Sequence, residues 1–261
     1  MSKDPMGDRM KGDYEARAQT YLPRRTHTIV RIDGKAFHTY TRGLDKPYDK
    51  RLMDDMALTA QFLCHEIQGA RVAFVQSDEI SVLLTDYATR QTQAWFDGNV
   101  QKIVSISASL ATAKFNAVRP DHPINRLAFF DSRVFTIPEE IEVVNYFLWR
   151  QRDATRNSIS MLAQAHFSAK RLHGLSTGQM QELLWSEKGI NWNDEDPRFK
   201  RGTIVVPRWR TEEVRYTDKR DQQEHLGEAQ RRRWVAEAAP DFGTAGARQW
   251  LLGDEAPDAG E

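Results

Sequence analysis

Apolar residues in the first half of the chain alternate between short β-branched runs and longer stretches with helical spacing. Apolar side chains recur every three or four residues over Lys50–Gln68 and about Arg90–Phe115, which predicts two long helices. The short runs predict four strands, at Thr26–Ile32, Ala70–Gln76, Glu79–Thr85 and Leu127–Ile137. The order β-α-β-β-α-β is that of the ferredoxin-like split βαβ unit. We therefore predict an α+β fold with an antiparallel sheet and helices on one face.

The second half of the chain, beyond Pro138, has a mostly helical pattern. Ser176 and Gln179 form a predicted capping box for a helix that ends before Gly189. The other predicted elements are helices over Glu139–Gln151 and Asn157–Leu172, a hairpin over Gly202–Trp209 and Glu213–Tyr216, and a helix near Gln222–Ala239. We predict a core of residues 1–137 and a helical extension of residues 138–261.

The composition narrows the class of protein. With 261 residues and 40% hydrophobic residues, the chain is long enough to bury a packed core. No apolar run approaches the roughly 18 residues that a membrane helix needs. The single cysteine, Cys64, excludes an intrachain disulfide, and the N-terminal residues carry charges of both signs. We predict a cytoplasmic protein that has no membrane partner.

The charges are balanced overall but unevenly distributed. The formal net charge of zero excludes a protein that binds nucleic acid through bulk charge alone. Residues 144–173 nevertheless contain five Arg or Lys against Asp153 alone, and residues 198–220 contain eight against three acids. Such local basic patches favour a polyanionic ligand, and ordinary solvated surface is the alternative.

Three acidic residues lie at strand ends that the predicted topology brings together. Asp33 follows the first strand, and Asp78 and Glu79 occupy the turn between the two central strands. The first strand pairs with one arm of that hairpin, so the carboxylates converge. Converging oxygen ligands suit Mg²⁺, and a pair of such ions activates a hydroxyl and neutralises a leaving pyrophosphate. The alternative is that these are ordinary turn residues.

The segment that follows Asp33 favours phosphate binding. Gly34–His38 begins with a glycine and leads towards a helix, so its backbone N–H groups form a nest for a triphosphate. Lys46, Lys102 and Arg133 are candidates for further phosphate contacts. For each of these three, a surface charge is the alternative.

Six motifs occur in order between about residues 29 and 158. They are RIDGKAFH from Arg31, KPYD from Lys46, QSDEIS from Gln76, KIVS from Lys102, FDSRV from Phe130 and WRQRD from Trp149. In these motifs the chain resembles the tRNA-His guanylyltransferase family. The resemblance implies a palm-like core like that of ordinary polymerases, and a homotetramer.

The resemblance also implies roles for individual residues. Asp33, Asp78 and Glu79 would be catalytic, and together with Gly34 they would hold two Mg²⁺ ions. The nucleotide would be bound by Asp33, Gly34, Lys35, Ala36, Phe37, His38, Lys46, Asp49, Ser77 and Asp78. Phosphate or tRNA would be contacted by Lys102, Arg133, Arg150, Arg152, Asp153, Arg156 and Asn157.

The reaction implied is polymerisation in the reverse, 3′–5′ direction on tRNA. The 3′-hydroxyl of GTP or another nucleoside triphosphate attacks an activated 5′ phosphate. That phosphate belongs either to a 5′ triphosphate or to a 5′ end adenylylated with ATP. In-line displacement of this kind is stabilised by metal ions and basic side chains.

The chain departs from the family at one stretch. Members that add guanosine to tRNA-His carry HINNLYN after the WRQ-D motif, whereas this chain has Thr155, Arg156 and Asn157 there. The histidine is absent and one asparagine is kept. This difference favours the branch that repairs tRNA 5′ ends on a template. Non-templated guanosine addition to tRNA-His is the alternative.

Two other function classes compete with nucleotide addition to tRNA. Nucleotidyl cyclases share the split βαβ topology and the two acids, but their hairpin would resemble GGDEF rather than QSDE. A non-catalytic RNA-binding module would not need the three acids together. With Mg²⁺ and GTP, the predicted enzyme would label a 5′-truncated tRNA, whereas a cyclase or an RNA-binding module would not.

Overall fold

An antiparallel sheet of six strands is the central element of the computed structural model, which describes residues 4–120, 126–217 and 222–253. The strand order is β4-β1-β3-β2-β5-β6. The strands are β1 His27–Gly34, β2 Ala70–Gln76, β3 Glu79–Leu84, β4 Phe130–Ile137, β5 Thr203–Thr217 and β6 Glu224–Ala238. The first four form the predicted split βαβ unit, which confirms the α+β class.

Helices make up most of the remaining regular structure of the described residues. They are α1 Pro5–Met10, α2 Phe37–Tyr40, α3 Lys50–Glu66, α4 Val100–Val118, α5 Glu140–His166, α6 Ala169–Leu172, α7 Thr177–Lys188, α8 Pro197–Arg201 and α9 Ala247–Leu252. Asp49 caps α3 by accepting a hydrogen bond from the Leu52 N–H. The predicted capping box of Ser176 and Gln179 is present at α7. None of the helices within the described ranges is long and apolar enough to cross a bilayer.

The two faces of the sheet bury different helices. Helices α3 and α4 cover the face with Val30, Ile32 and Val82, as the split βαβ unit requires. Helix α5 covers the opposite face, where Phe147 packs near Ile29 in a second cluster. A third cluster joins the end of α5 to α7 and α8. The division of the chain at residue 138 stays a prediction. Strand β5, from the second part, pairs with β2, from the first, so the two parts contribute to one sheet.

Helix α4 begins about ten residues later than the pattern predicts. Phe96 and Asp97 have positive φ angles of 48° and 53°, which interrupt any helix through this segment. Asn99 then starts the helix by accepting a hydrogen bond from the Lys102 N–H at 3.0 Å. The helical spacing of Phe96 with later residues is therefore coincidental.

Three predictions in the second half are wrong. The predicted hairpin over Gly202–Trp209 and Glu213–Tyr216 is a single strand, β5 Thr203–Thr217, whose hairpin partner is β6. The predicted break between the helices over Glu139–Gln151 and Asn157–Leu172 is absent, because a buried stripe runs through Ala154 and Ser158 and one helix, α5, continues to His166. The last residues of the second predicted helix form the separate α6. The predicted helix near Gln222–Ala239 is strand β6, which pairs with β5 from Glu224 to Ala238. Pairing with a strand already in the sheet outweighs the weak helical spacing of this polar segment.

Candidate active site

The acidic residues converge where β1 ends. Asp33 pairs across the strands with Glu79 on β3 and with Asp131 on β4. The Gly34 N–H donates to the Asp78 carbonyl at 3.1 Å, which joins the end of β1 to the β2–β3 turn. Ser77 has a positive φ of 49°, as a tight two-residue hairpin turn requires. The sheet therefore places Asp33 next to the β2–β3 turn, as the topology predicted.

The electrostatics of Asp78 suit a cation. Burial raises the pKa of its carboxyl to about 6, and the negative charges of Asp33 and Glu79 add to the rise. A hydrogen bond from Ser77 opposes the shift only in part. Within the described residues, no group of three or more His, Cys, Asp or Glu side chains is placed to hold a metal ion. A cation here would therefore need the Asp33–Asp78 pair together with backbone and phosphate oxygens.

The segment after Asp33 is closely packed at its glycine. A Cβ atom at Gly34 would lie 2.3 Å from the Phe37 ring, so only glycine fits. Ala36 has a left-handed φ of 54° and precedes the short helix α2. Phe37 is buried, whereas Lys35, Ala36 and His38 are exposed. The Lys35 N–H donates to the Phe129 carbonyl at 2.8 Å, so it is not available to the predicted phosphate nest.

Glu79 is bound on both carboxylate oxygens by arginines. The Arg150 guanidinium donates from Nε to Oε1 and from Nη2 to Oε2, both at 2.7 Å. Arg31 contacts Oε2, also at 2.7 Å, and the Glu79 side chain is 6% exposed. The role of Glu79 as a metal ligand stays a prediction. These contacts favour a role in positioning the two arginines.

A second set of charges surrounds Asp33. Its Oδ2 lies 3.7 Å from Arg31 Nη2 and 3.8 Å from Arg133 Nη2. Arg133 also contacts Asp131 at 3.3 Å. The predicted Arg133 is therefore beside the acids. Arg31 was not among the predicted site residues, although it precedes Asp33 by two residues and so lies on the same face of β1.

Lys102 lies apart from the acids. It is exposed on the first turn of α4, and α4 covers the face of the sheet opposite to Asp33. The structure therefore does not bring Lys102 to the acids, and its contact with phosphate stays a prediction.

The predicted tRNA contacts on α5 form a polar ridge beyond Glu79. Arg152 is exposed on this helix. Asp153 pairs with Arg150 at 3.2 Å and also with Arg156. The ridge consists of Arg152, Asp153 and Arg156, and it begins next to the arginine that binds Glu79.

A cavity of about 260 Å³ opens beside the β2–β3 turn, and we call it the side pocket. Its wall includes four of the predicted site residues, Lys46, Asp49, Ser77 and Asn157. Asp49 is held in place because its carboxylate caps α3 and lies 3.4 Å from the buried Arg119. Lys46 is exposed at the rim. The pocket thus joins the loop before α3 to the acidic turn and to the middle of α5.

Two family models match successive parts of the chain. The model described as tRNAHis guanylyltransferase matches residues 7–138. The model described as Thg1 C terminal domain matches residues 141–241. Together they include every residue discussed in this section.

Individual relatives agree with the family models. The tRNA(His) guanylyltransferase of Eremothecium gossypii is 32% identical over 212 residues, covering 74% of this chain and 86% of that protein. A bacterial tRNA(His) guanylyltransferase (Thg1)-like protein solved in complex with ATP is 43% identical, with a TM-score of 0.81. That match covers 95% of this chain and 99% of the solved chain. A GTP complex of the same description is 42% identical, with a TM-score of 0.74 over 92% and 94% of the two chains.

Proposed function

The chain belongs to the tRNA(His) guanylyltransferase family, and from this premise we propose that it repairs tRNA 5′ ends by template-dependent 3′–5′ nucleotide addition. Family membership makes it a nucleotidyltransferase rather than a cyclase or a non-catalytic RNA-binding module. The observation that carries the proposal is the convergence of Asp33 and Asp78 beside the side pocket. A cation held by these acids would lie next to a cavity that fits part of a nucleotide.

The proposed metal ligands are the carboxylates of Asp33 and Asp78 and the Gly34 carbonyl. Burial and the negative charges of Asp33 and Glu79 raise the pKa of Asp78, and a bound Mg²⁺ would supply a positive charge that stabilises the ionised carboxylate. Bound Mg²⁺ supplies positive charge that favours the nucleophilic form of a hydroxyl and stabilises a leaving pyrophosphate.

The protein's own residues orient the reactants. Arg133 is half-exposed beside Asp33, so its guanidinium can contact an incoming phosphate from its position on β4. In the proposed reaction the 3′-oxygen of the nucleotide forms a bond to the 5′ α-phosphorus of the RNA. The bond to pyrophosphate, or to AMP on an adenylylated end, breaks, and the hydroxyl proton is lost to solvent.

The side pocket is proposed to take the base of a nucleoside triphosphate. Its volume of about 260 Å³ is below the roughly 300–1,000 Å³ of sites for drug-sized molecules, so it fits a base rather than a whole nucleotide. Ser77 lies at the edge of the pocket. The phosphates of a nucleotide whose base is in the pocket would extend past Ser77 towards Asp78. Structures of similar bacterial proteins with ATP and with GTP support nucleoside triphosphates as substrates.

Thr155 supports the template-dependent branch. At this position, where the guanosine-adding members of the family have histidine, the Thr155 hydroxyl donates to the Lys200 carbonyl at 3.2 Å. The side chain therefore ties α5 to α8 and does not offer a group to the end of a substrate. Base choice would then come from pairing with the opposite strand of the acceptor stem.

The test of this proposal is sequencing of the products made on different tRNAs. On a tRNA that lacks its first nucleotide, with all four triphosphates present, we expect the enzyme to restore the base that completes the pair. Addition should slow sharply once the acceptor stem is complete. Preferential addition of guanosine to tRNA-His opposite a non-pairing base would contradict the template-dependent proposal and favour the alternative branch.

The β5–β6 hairpin is a proposed docking surface for tRNA. Beyond its pairing with β2 it continues as a two-stranded ribbon, on which Arg210 faces Arg231 and Trp209 faces Arg232. Like charges in opposite positions destabilise a hairpin by themselves, and a polyanion relieves the repulsion. Trp209 is 59% exposed, so much of its surface is accessible to a nucleic acid. The end of the predicted basic stretch, residues 218–220, lies outside the described residues.

Removal of charge from this ribbon and from α5 should weaken tRNA binding in a salt-dependent way. The test variants are Arg210→Ala, Arg232→Ala, Arg152→Ala and Arg156→Ala. Each should reduce the slope of log affinity against log salt by about 0.7–0.9 for every phosphate that the arginine neutralises. Fluorescence anisotropy between low and moderate salt measures this slope. Arg90→Ala, an exposed arginine outside both surfaces, is the control. Unchanged slopes in all four variants would show that neither surface docks the RNA.

A homotetramer and a cytoplasmic location stay proposals that rest on the family resemblance. Light scattering of the purified full chain measures the first of these directly. A monomer at micromolar concentration would contradict the tetramer and leave the chemistry at Asp33 and Asp78 unaffected.

A further inference from the structure

A buried arginine at the end of α4 contacts two carboxylates at the start of α3. Arg119 directly follows α4, and its side chain is only 3% exposed. Its Nη1 donates to Asp55 Oδ2 at 2.9 Å, and its Nη2 donates to Asp49 Oδ1 at 3.4 Å. Asp55 is buried within α3, whereas Asp49 is the residue that caps this helix. One guanidinium therefore joins the end of α4 to the body of α3 and to its cap.

Asp49 connects this arginine to the side pocket. The second oxygen of its carboxylate, Oδ2, accepts a long hydrogen bond of 3.5 Å from the Asp45 N–H. Asp45 belongs to the segment before α3, residues 41–49, which we call the pocket loop because most of its residues line the side pocket. Within the described part of the chain, Arg119 is not in the pocket wall, so it reaches the loop through Asp49.

Arg119 also lies near the other end of the pocket loop. Tyr40 ends α2, directly before the loop, and is buried. Burial raises the pKa of its hydroxyl, and the positive charge of Arg119 opposes this rise, so the two side chains are within electrostatic reach of each other. Residues 41–49 form neither a helix nor a strand. The two ends of an irregular loop are therefore both close to one buried guanidinium.

The shape of the pocket loop matters for ligand binding. Lys46 and Tyr48 line the pocket from this loop, and Tyr48 stacks on Phe199 with ring centroids 4.2 Å apart. A loop that is free to move must be ordered when a ligand binds, and the lost entropy lowers the affinity. A contact that fixes the loop beforehand removes part of this cost.

We propose that Arg119 is a positioning residue for nucleoside triphosphates, which acts through Asp49 on the pocket loop. This inference rests on the function proposed above and adds a residue that lies outside the six motifs. Arg119 is buried, so its effect on a nucleotide is indirect. The planar guanidinium donates to two carboxylates at once, which the single ammonium group of a lysine does less well.

Equilibrium binding of GTP and of ATP to the full chain with Mg²⁺ tests this role. Arg119→Met keeps a long side chain without the charge, and it should weaken both nucleotides by about tenfold. Arg119→Lys keeps a charge beside the acids, so it should stay folded and weaken binding by about threefold to fivefold.

Asp86→Asn is the control for a general loss of stability. Asp86 is also a buried acid that accepts a backbone hydrogen bond, from the Arg25 N–H at 2.8 Å, but it lies beyond the end of β3 remote from the acidic turn. This variant should have a lower urea midpoint, because Arg24 loses its charged partner. Its affinity for GTP and ATP should equal that of the wild type.

A double-variant cycle shows whether Arg119 acts through Asp49. Asp49→Asn keeps a residue that caps helices well but loses the charge that faces Arg119, and it should weaken nucleotide binding by about tenfold. Combined with Arg119→Met it should still cost about tenfold rather than about a hundredfold, because both changes break the same link. If Arg119→Met does not fold, the same cycle is made with Arg119→Lys.

The outcomes separate this inference from the proposed function. Wild-type affinity in the Arg119 variants would overturn the positioning role. Additive losses in the double variant, or an equal loss in Asp86→Asn, would overturn it as well. If the wild type binds GTP and ATP with the expected dependence on Arg119 but adds no nucleotide to a 5′-truncated tRNA, the proposed function fails while the role of Arg119 stands.

Discussion

The Asp33→Ala and Asp78→Ala variants should each lose nucleotide addition by about 100-fold or more, because either substitution removes an oxygen ligand from the proposed metal site. Addition of labelled GTP to a 5′-truncated tRNA measures the loss. Rates should be compared at saturating and at limiting Mg²⁺, since weaker metal binding raises the Mg²⁺ concentration that is required.

The fold of these two variants should survive. Asp78 carries a desolvation cost that its neighbours do not offset, so alanine there should leave the free energy of unfolding unchanged or slightly higher at neutral pH. Asp13→Ala, an exposed acid at the N-terminus, is the control and should keep full activity. Activity above about a tenth of wild type in either site variant would contradict the assignment of Asp33 and Asp78 as metal ligands.

The second large effect is expected from breaking the contacts between Glu79 and its arginines. Glu79 and Arg150 have side chains only 6% and 7% exposed, so each is a buried charge that depends on the other. Glu79→Gln leaves Arg31 and Arg150 facing a neutral group. Loss of one partner from a buried pair costs about 3–5 kcal/mol, and we expect a decrease of that size in the free energy of unfolding.

Urea unfolding of Glu79→Gln, Arg150→Met and the double variant measures this coupling. In the double variant part of the loss should be recovered, because no unpaired charge between α5 and β3 is left from this pair. Arg152→Met, an exposed arginine two residues along the same helix, is the control and should be near wild type. Wild-type stability in Glu79→Gln together with a large rise in the Mg²⁺ requirement would show that Glu79 is a metal ligand instead.

The contacts of Arg150 change how its motif is understood. The sequence places Arg150 in a basic stretch, which predicts contact with tRNA. The structure buries its guanidinium between Glu79 and Asp153, and the centroid of the Trp149 ring lies 4.5 Å from the guanidinium carbon. A buried arginine with this many partners positions α5 against β3. The exposed Arg152 and Arg156 are better placed to meet RNA.

Local and periodic features of this protein follow from the sequence alone. The caps at Asp49 and Ser176 and the tight turn at Ser77 depend on a few neighbouring residues, so they were predictable. Apolar periodicity predicted the split βαβ order, and that order brought Asp33 to the β2–β3 turn because antiparallel neighbours share their ends.

Features that depend on distant partners were set by the packing of the whole chain. The segment of β6 is polar and arginine-rich, and it becomes a strand because β5 provides a ladder of backbone hydrogen bonds along its whole length. The contacts of Glu79 likewise depend on α5, a helix some 70 residues later in the chain, from which Arg150 binds its carboxylate. The packing of helices on a sheet determines which charges pair and which side chains are buried. The spacing of residues along a strand does not predict either.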